Sequence, residues 1–217
     1  MRLICVSGYK DSGKSTLCRA LLSRLTARGF RTGYIKRTQE YVASQPATDT
    51  GAAEALGVDA LLWGDRSFRW EGICEQAAHA DPAVVAGRFF PDADVVVLEG
   101  GKELRLPKIW VLRQGEPRPA FPGIFALYDR YGPGDGGERY GADEVDRLCE
   151  AIAARVRPGG KSARVYVDDV ELPMKDFICD FVAGGIRGML GALKLDRVED
   201  VSGDVRVYLR SERKEIG

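Results

Sequence analysis

The stretch RLICVSGYKDSGKSTLCRALLSRLTARGFRTGYIK, residues 2–36, decides the fold. Arg2–Ser7 is a short apolar run of the kind that lies buried in a parallel sheet. A glycine-bounded loop, Gly8–Gly13, follows it. Leu17, Leu21 and Leu25 then recur at helical spacing, and Gly29 stands where a helix C-cap is expected. Phe30–Lys36 reads as a second strand. Strand, loop, helix and strand in that order make a βαβ unit, and such units build parallel sheets.

The loop Gly8-Tyr9-Lys10-Asp11-Ser12-Gly13-Lys14-Ser15 satisfies G-x-x-x-x-G-K-[ST] in full. The glycines let the backbone curl, so that successive N–H groups point inward at phosphate oxygens. A helix beginning near Lys14 adds the positive end of its dipole. The Lys14 ammonium is expected to reach the β- and γ-phosphates and the Ser15 hydroxyl to ligate Mg²⁺. With a strand before it and a helix after it, the loop predicts a bound nucleoside triphosphate held by Gly8, Tyr9, Lys10, Asp11, Ser12, Gly13, Lys14, Ser15 and Thr16.

Such a loop needs a carboxylate at the end of a neighbouring strand. The run Asp94-Val95-Val96-Val97-Leu98-Glu99-Gly100 offers two. Ligands of open α/β sheets gather at the carboxyl ends of strands, which favours Glu99 over Asp94. A third acid, Asp49, lies with Thr50 in the loop after the second strand, where nucleotide switches are found. Two readings of Asp49 are open, a Mg²⁺ ligand or water-orienting group and a helix N-cap for Thr50–Leu56. Lys14, Asp49 and Glu99 are thus the catalytic candidates, and Ser15, Asp49 and Glu99 the metal candidates. Asp129, after the strand candidate Ile124–Tyr128, is placed either to accept hydrogen bonds from guanine N1 and N2 or to serve as a turn residue. No Asn-Lys-x-Asp reads guanine elsewhere; Leu193-Lys194-Leu195-Asp196 is only a partial echo.

Other polar residues carry less. Lys36 and Arg37 end the second strand on the loop's side, within reach of phosphates or as a solvated strand end. Lys102, Arg105 and Lys108 read as a solvated face or an anion site. His79, the one histidine, sits in an Ala-rich helical pattern with a structural role, and Trp63, Trp70 and Trp110 read as packing groups.

The remaining pattern places a short helix at Thr50–Leu56, a strand at Val58–Trp63, helices at Ile73–Ala80 and Pro82–Phe90, a strand at Ile109–Leu112, a glycine-rich loop at Gly132–Gly141 and a helix at Ala142–Val156. Pro158-Gly159-Gly160-Lys161-Ser162 is the best domain boundary. Beyond it, Arg164–Leu172 alternates like a strand, Met174–Leu193 is helical and Asp204–Arg210 alternates again. Gly184, Gly188 and Gly191 share one side of that helix, which suits a packing or dimer face. The expected fold is therefore α/β: a P-loop NTPase with a mostly parallel sheet flanked by helices over residues 1–157, plus a small α+β C-terminal module over 163–217.

Composition agrees. The 217 residues carry 32 Lys+Arg against 32 Asp+Glu. That argues against a protein whose work is to coat nucleic acid or an anionic membrane. With 45% hydrophobic and 29% charged residues the chain is globular. No apolar run approaches the ~20 residues that span a bilayer, and the amino end does not resemble a secretory signal. Cys5, Cys18, Cys74, Cys149 and Cys179 form no C-x-x-C, so reduced thiols in the cytoplasm are expected.

The segments Gly8–Thr16, Gly33-Tyr34-Ile35-Lys36, Asp49-Thr50, Val97-Leu98-Glu99-Gly100-Gly101-Lys102 and Pro107-Lys108-Ile109, in that order, resemble the MobB family. This is the GTP-binding protein of molybdopterin-guanine dinucleotide biosynthesis. The resemblance spans about residues 1–156, and the Glu-Gly-x-Lys and Pro-Lys-Ile runs give it specificity. It implies GTP with Mg²⁺, slow intrinsic hydrolysis, frequent homodimerisation and work beside the guanylyltransferase MobA on molybdopterin. Three features depart from the family. Arg37-Thr38 replaces its histidines after the second strand, Gly101 replaces a Phe, and Ala163–Gly217 lies beyond its core domain. Slow hydrolysis also fits the absence of a Gln, His or Arg that the sequence places to activate water or neutralise the transition state. Two other functions share the motif: a nucleotide-switched adaptor without chemistry of its own, and an ATP-dependent ligase or kinase of the same fold.

Overall fold

The computed structural model describes residues 2–38, 47–72, 81–156, 162–167, 170–193, 205 and 207. The chain divides into two compact units, Met1–Pro158 and Gly159–Gly217.

The first unit is built on a six-stranded sheet. Its strands are β1 (Arg2–Ser7), β2 (Thr32–Lys36), β5 (Val95–Glu99), β6 (Lys108–Val111), β7 (Ile124–Tyr128) and β8 (Arg139–Tyr140). Their order is β2-β5-β1-β6-β7-β8, and every neighbouring pair is parallel. β1 therefore sits inside the sheet, with β5 on one side and β6 on the other. All of β5 is buried, as its unbroken apolar run requires of a strand covered on both faces.

Strand alternation sorts the core. Ile4, Val6, Val95, Val97, Ile109 and Val111 face one way and pack on two helices. These are α1 (Lys14–Ala27), through Leu17, Cys18, Leu21 and Leu25, and α4 (Val145–Ala153), through Val145, Leu148, Cys149 and Ile152. Leu3, Cys5, Val96 and Leu98 face the other way, against Ala86 of α3 (Pro82–Phe89). Each buried Leu contributes roughly 1.5–3 kcal/mol relative to exposure. α3 starts as the sequence dictates, with Asp81 as N-cap accepting from Ala83 N and Pro82 in the first turn.

Several expectations are corrected. The strand expected at Val58–Trp63 forms over its last four residues. This strand, β3 (Ala60–Trp63), stays apart from the six-stranded sheet and pairs antiparallel with β4 (Phe68–Glu71), an element the sequence did not suggest. Trp63 is not a packing group: it is 82% exposed and its partner Phe68 is 75% exposed, whereas Trp70, though partly exposed, packs on Phe89 with 5.6 Å between ring centres. Trp110, by contrast, is fully buried and stacked on Phe121. The loop 132–141 contains the short strand β8. The helix expected from Ala142 opens as a 3-10 turn, Ala142–Glu144, before α4. The expected helix at 73–80, with Cys74 and His79, lies outside the described residues.

In the second unit, Arg164–Leu172 is not one strand but a small hairpin of β9 (Tyr166–Val167) and β10 (Val170–Glu171). Helix α5 (Asp176–Gly191) follows, as the apolar periodicity predicts. Phe177 and Phe181 are each 73% exposed on it, whereas Cys179 is buried. A Cβ at Gly184, Gly185 or Gly188 would meet open space. The expected strand at 204–210 lies outside the described residues apart from Val205 and Val207. No helix among the described residues is long and apolar enough to cross a membrane.

Candidate functional site

The loop between β1 and α1 opens at the carboxyl edge of the sheet. Gly8 cannot carry a side chain: a Cβ there would stand 2.6 Å from the Val111 carbonyl oxygen and 2.7 Å from Ser12 Oγ. Gly13, at φ 99°, is in the left-handed region that glycine enters without strain. Asp11 adopts φ 62°, a conformation Asp tolerates better than most residues. The Ser12 N–H donates back to the Tyr9 carbonyl and closes the curl. Gly13 is the N-cap of α1 and offers no side-chain cap. The first-turn N–H groups of α1 are thus left for an external acceptor, at the positive end of a helix 14 residues long. Ser12 Oγ is buried and has no hydrogen-bond partner among the described residues.

Lys14 Nζ bends back over this loop and donates to the Tyr9 carbonyl at 2.5 Å. Burial lowers its pKa, and Arg113 pushes the same way, against Glu99 and Asp11. Among the described residues the Tyr9 carbonyl is the hydrogen-bond partner of this half-buried ammonium, and an anion in the loop would compete for it.

Register brings the acid to the loop. Glu99 pairs with Val6 and Tyr34 with Val97, so both side chains lie on the face covered by α1. Glu99 Oε1 accepts from Ser15 Oγ at 2.7 Å, and Oε2 accepts from the Tyr34 hydroxyl at 2.6 Å. Burial opposes the charge on Glu99. The donors Tyr34 and Ser15, with Lys36 and Lys14 nearby, outweigh it and hold the carboxyl below its usual range. The same contact acts on its neighbours. Burial, then Glu99, push the Cys18 thiol up to about 12. Burial and donation to Glu99 also raise the Tyr34 phenol above its ordinary value. Ser15 and Glu99 are hard oxygen donors within one coordination sphere of each other, a donor set that suits Mg²⁺.

The other expected residues are placed as follows. Asp49 opens the short helix α2 (Asp49–Ala55) and is exposed; the N-cap is Thr48, whose hydroxyl accepts from Gly51 N. No hydrogen bond or ion pair among the described residues joins Asp49 to Ser15 or Glu99. Asp129, at the carboxyl end of β7, accepts from Tyr131 N at 3.0 Å through Oδ1 and faces Arg139 at 3.9 Å. Asp94 precedes β5 and binds the Arg31 N–H and guanidinium. Arg37 pairs with Glu103.

Lys108 is not part of a solvated face or an anion site. It is fully buried, and Nζ donates to the carbonyls of Lys102, Leu104 and Pro122 at 2.5, 2.9 and 3.2 Å. It pins the turn that follows Glu99, and burial lowers its pKa.

Two arginines near the loop escaped the sequence reading. Arg113, beyond β6, donates to the Lys10 carbonyl at 2.9 Å and lies 4.8 Å from the Tyr9 ring centre. Arg130, beyond β7, reaches Gly13. Both follow parallel strands at their carboxyl ends, the signal that picked Glu99. Tyr34 gave no signal of its own, because its role depends on lateral register.

Sheet order, loop and buried acid define a P-loop-type α/β protein. A family model described as molybdopterin guanine dinucleotide synthesis protein B matches residues 3–125. The chain belongs to the MobB family. Two molybdopterin-guanine dinucleotide biosynthesis adapter proteins are among its relatives. The one from Haemophilus influenzae is 28% identical over 54% of this chain and 66% of its own length. The one from Escherichia coli is 24% identical over 83% of this chain and 93% of its own. A crystal structure of molybdopterin-guanine biosynthesis protein B shares the fold, with a TM-score of 0.57 and 22% identity over 71% of this chain and 99% of that one.

Proposed function

We propose that the chain binds GTP with Mg²⁺ and assists attachment of the guanine nucleotide to molybdopterin, beside a MobA-like guanylyltransferase. The observation that carries this reading is the Ser15–Glu99 hydrogen bond at the mouth of an N–H-lined loop. Lys14 would leave the Tyr9 carbonyl for the β- and γ-phosphates. Ser15 and Glu99 would hold the metal, with Asp49 joining if its segment closes on the site. Asp129 would read the guanine edge with the lone pairs its turn leaves free. The metal would neutralise phosphate charge; the chain's own work is to bind, orient and shield. Hydrolysis is slow in this reading, which suits an accessory protein.

A nucleotide-switched adaptor without chemistry is the second reading. It is supported by the exposed hairpin of Trp63 and Phe68, a surface more apolar than a lone domain needs. A homodimer would cover such a face. Titration with fluorescent GTP tests the first reading: Mg²⁺-dependent binding is expected, and Lys14→Ala should abolish it. Binding that ignores both Mg²⁺ and Lys14 would overturn it. Tighter competition by ATP than by GTP would redirect the reading to a ligase or kinase. Pull-down of a guanylyltransferase only in the presence of GTP, with no turnover, would favour the adaptor.

A further inference from the structure

We propose that Arg130 contacts the nucleotide, its guanidinium holding the phosphate nearest the ribose. The inference rests on the nucleotide-binding reading above and adds a residue that the loop motif does not contain.

The cradle has two sides. Ser15 and Glu99 mark the metal side, where the outer phosphates belong, and Glu99 comes from β5. β6 and β7 lie on the opposite side of β1 from β5. A triphosphate threaded through the loop with its outer end at Glu99 must leave toward β6 and β7. Arg130 stands there. Its Nη1 lies 3.3 Å from the position a Gly13 Cβ would take, and its Cδ and Cζ lie 3.8 Å from it. Gly13 is the residue whose backbone opens α1, so the guanidinium flanks the helix's free N–H groups.

That placement asks for an anion. A guanidinium beside the positive end of a helix gains from an anion bound between them. No carboxylate pairs with Arg130 among the described residues. Its side chain is exposed and rests on the Tyr131 ring, 4.6 Å from the ring centre, with a hydrogen bond to the Tyr131 hydroxyl. With Nη2 on the Tyr131 hydroxyl, the other guanidinium N–H groups remain for a phosphate, which an arginine can bind in bidentate fashion. Arg113 is differently employed, bonded to the Lys10 carbonyl and stacked on Tyr9, so it braces the loop instead.

The test compares fluorescent GTP and GDP binding to the full chain, to Arg130→Ala, to Arg130→Lys and to Lys14→Ala. Arg130→Ala should weaken GTP and GDP alike, by about tenfold, as expected for one lost charge-assisted contact. Its melting temperature without nucleotide should match wild type, and Arg130→Lys should recover part of the affinity. Wild-type affinity in Arg130→Ala, or a loss confined to GTP, overturns the inference and leaves the nucleotide reading standing. A lowered unliganded melting temperature with no recovery in Arg130→Lys marks a packing role and also overturns it. Failure of the unaltered chain to bind either nucleotide sinks the underlying reading itself.

Discussion

Glu99 has both carboxylate oxygens engaged, one by Ser15 and one by Tyr34. Under the proposed reading, Ser15 and one Glu99 oxygen would hold the metal, while Tyr34 would keep the other oxygen in place. Tyr34→Phe removes that hold without changing shape. The Mg²⁺ concentration needed for half-maximal GTP fluorescence should rise about fivefold, the equivalent of one ordinary hydrogen bond. An unchanged Mg²⁺ requirement would show that Tyr34 does not position the acid. Lys108 makes a stability case at the same scale. Lys108→Met should cost about 3 kcal/mol in urea unfolding, because three carbonyls lose a donor in a buried place. Glu99 was legible in the sequence because it ends an apolar strand beside glycine. Tyr34 was not, since its partner is 65 residues away and chosen by strand register. Nor was Lys108: a lysine opening a strand carries no mark of the carbonyls that will surround it.

Among the elements, the longer strands of the six-stranded sheet were readable and the shortest was not. β1 and β5 announce themselves as apolar runs, and α1 by its Leu spacing and its glycine-rich entry. β8 pairs through only two residues inside a glycine-rich loop, too short for any periodicity. β3 was readable as a strand, but its partner β4 was obscured for another reason: Phe68 is exposed, so the run lacks the buried apolar alternation that marks a strand. The Asp94–Arg31 contact ties the entry of β5 to that of β2 and sets a pH dependence. Burial works against the Asp94 charge, but the Arg31 N–H and guanidinium hold the pKa below its ordinary value. A carboxyl depressed in the folded state adds stability above its unfolded pKa of about 3.9, and that stability is lost as pH falls through the folded value. Asp94→Asn should therefore lower stability by about 1 kcal/mol at pH 7. Urea midpoints of variant and wild type should converge as pH falls below the ordinary carboxylate range. A difference that persists there would mean the contact does not depend on charge.

For the whole molecule, the described apolar clusters all lie within residues 3–156. A chain ending at Pro158 should accordingly unfold in one cooperative transition and keep its affinity for GTP; loss of either in calorimetry or titration would show that the second unit completes the first. The α/β class followed from the order of strands and helices. The second unit was less legible, because short alternating runs such as 164–172 suit a hairpin as well as a strand.

The thiols of the first unit add a chemical consequence. Cys5, Cys18 and Cys149 are buried, with Cys5 and Cys18 pushed up to about 11 and 12. Alkylating reagents attack thiolates, so these sulfurs stay inert until the sheet and its helices part. In a Cys74→Ser, Cys179→Ser chain, iodoacetamide uptake would then keep time with whole-unit opening, and a nucleotide that grips the folded form would slow that clock.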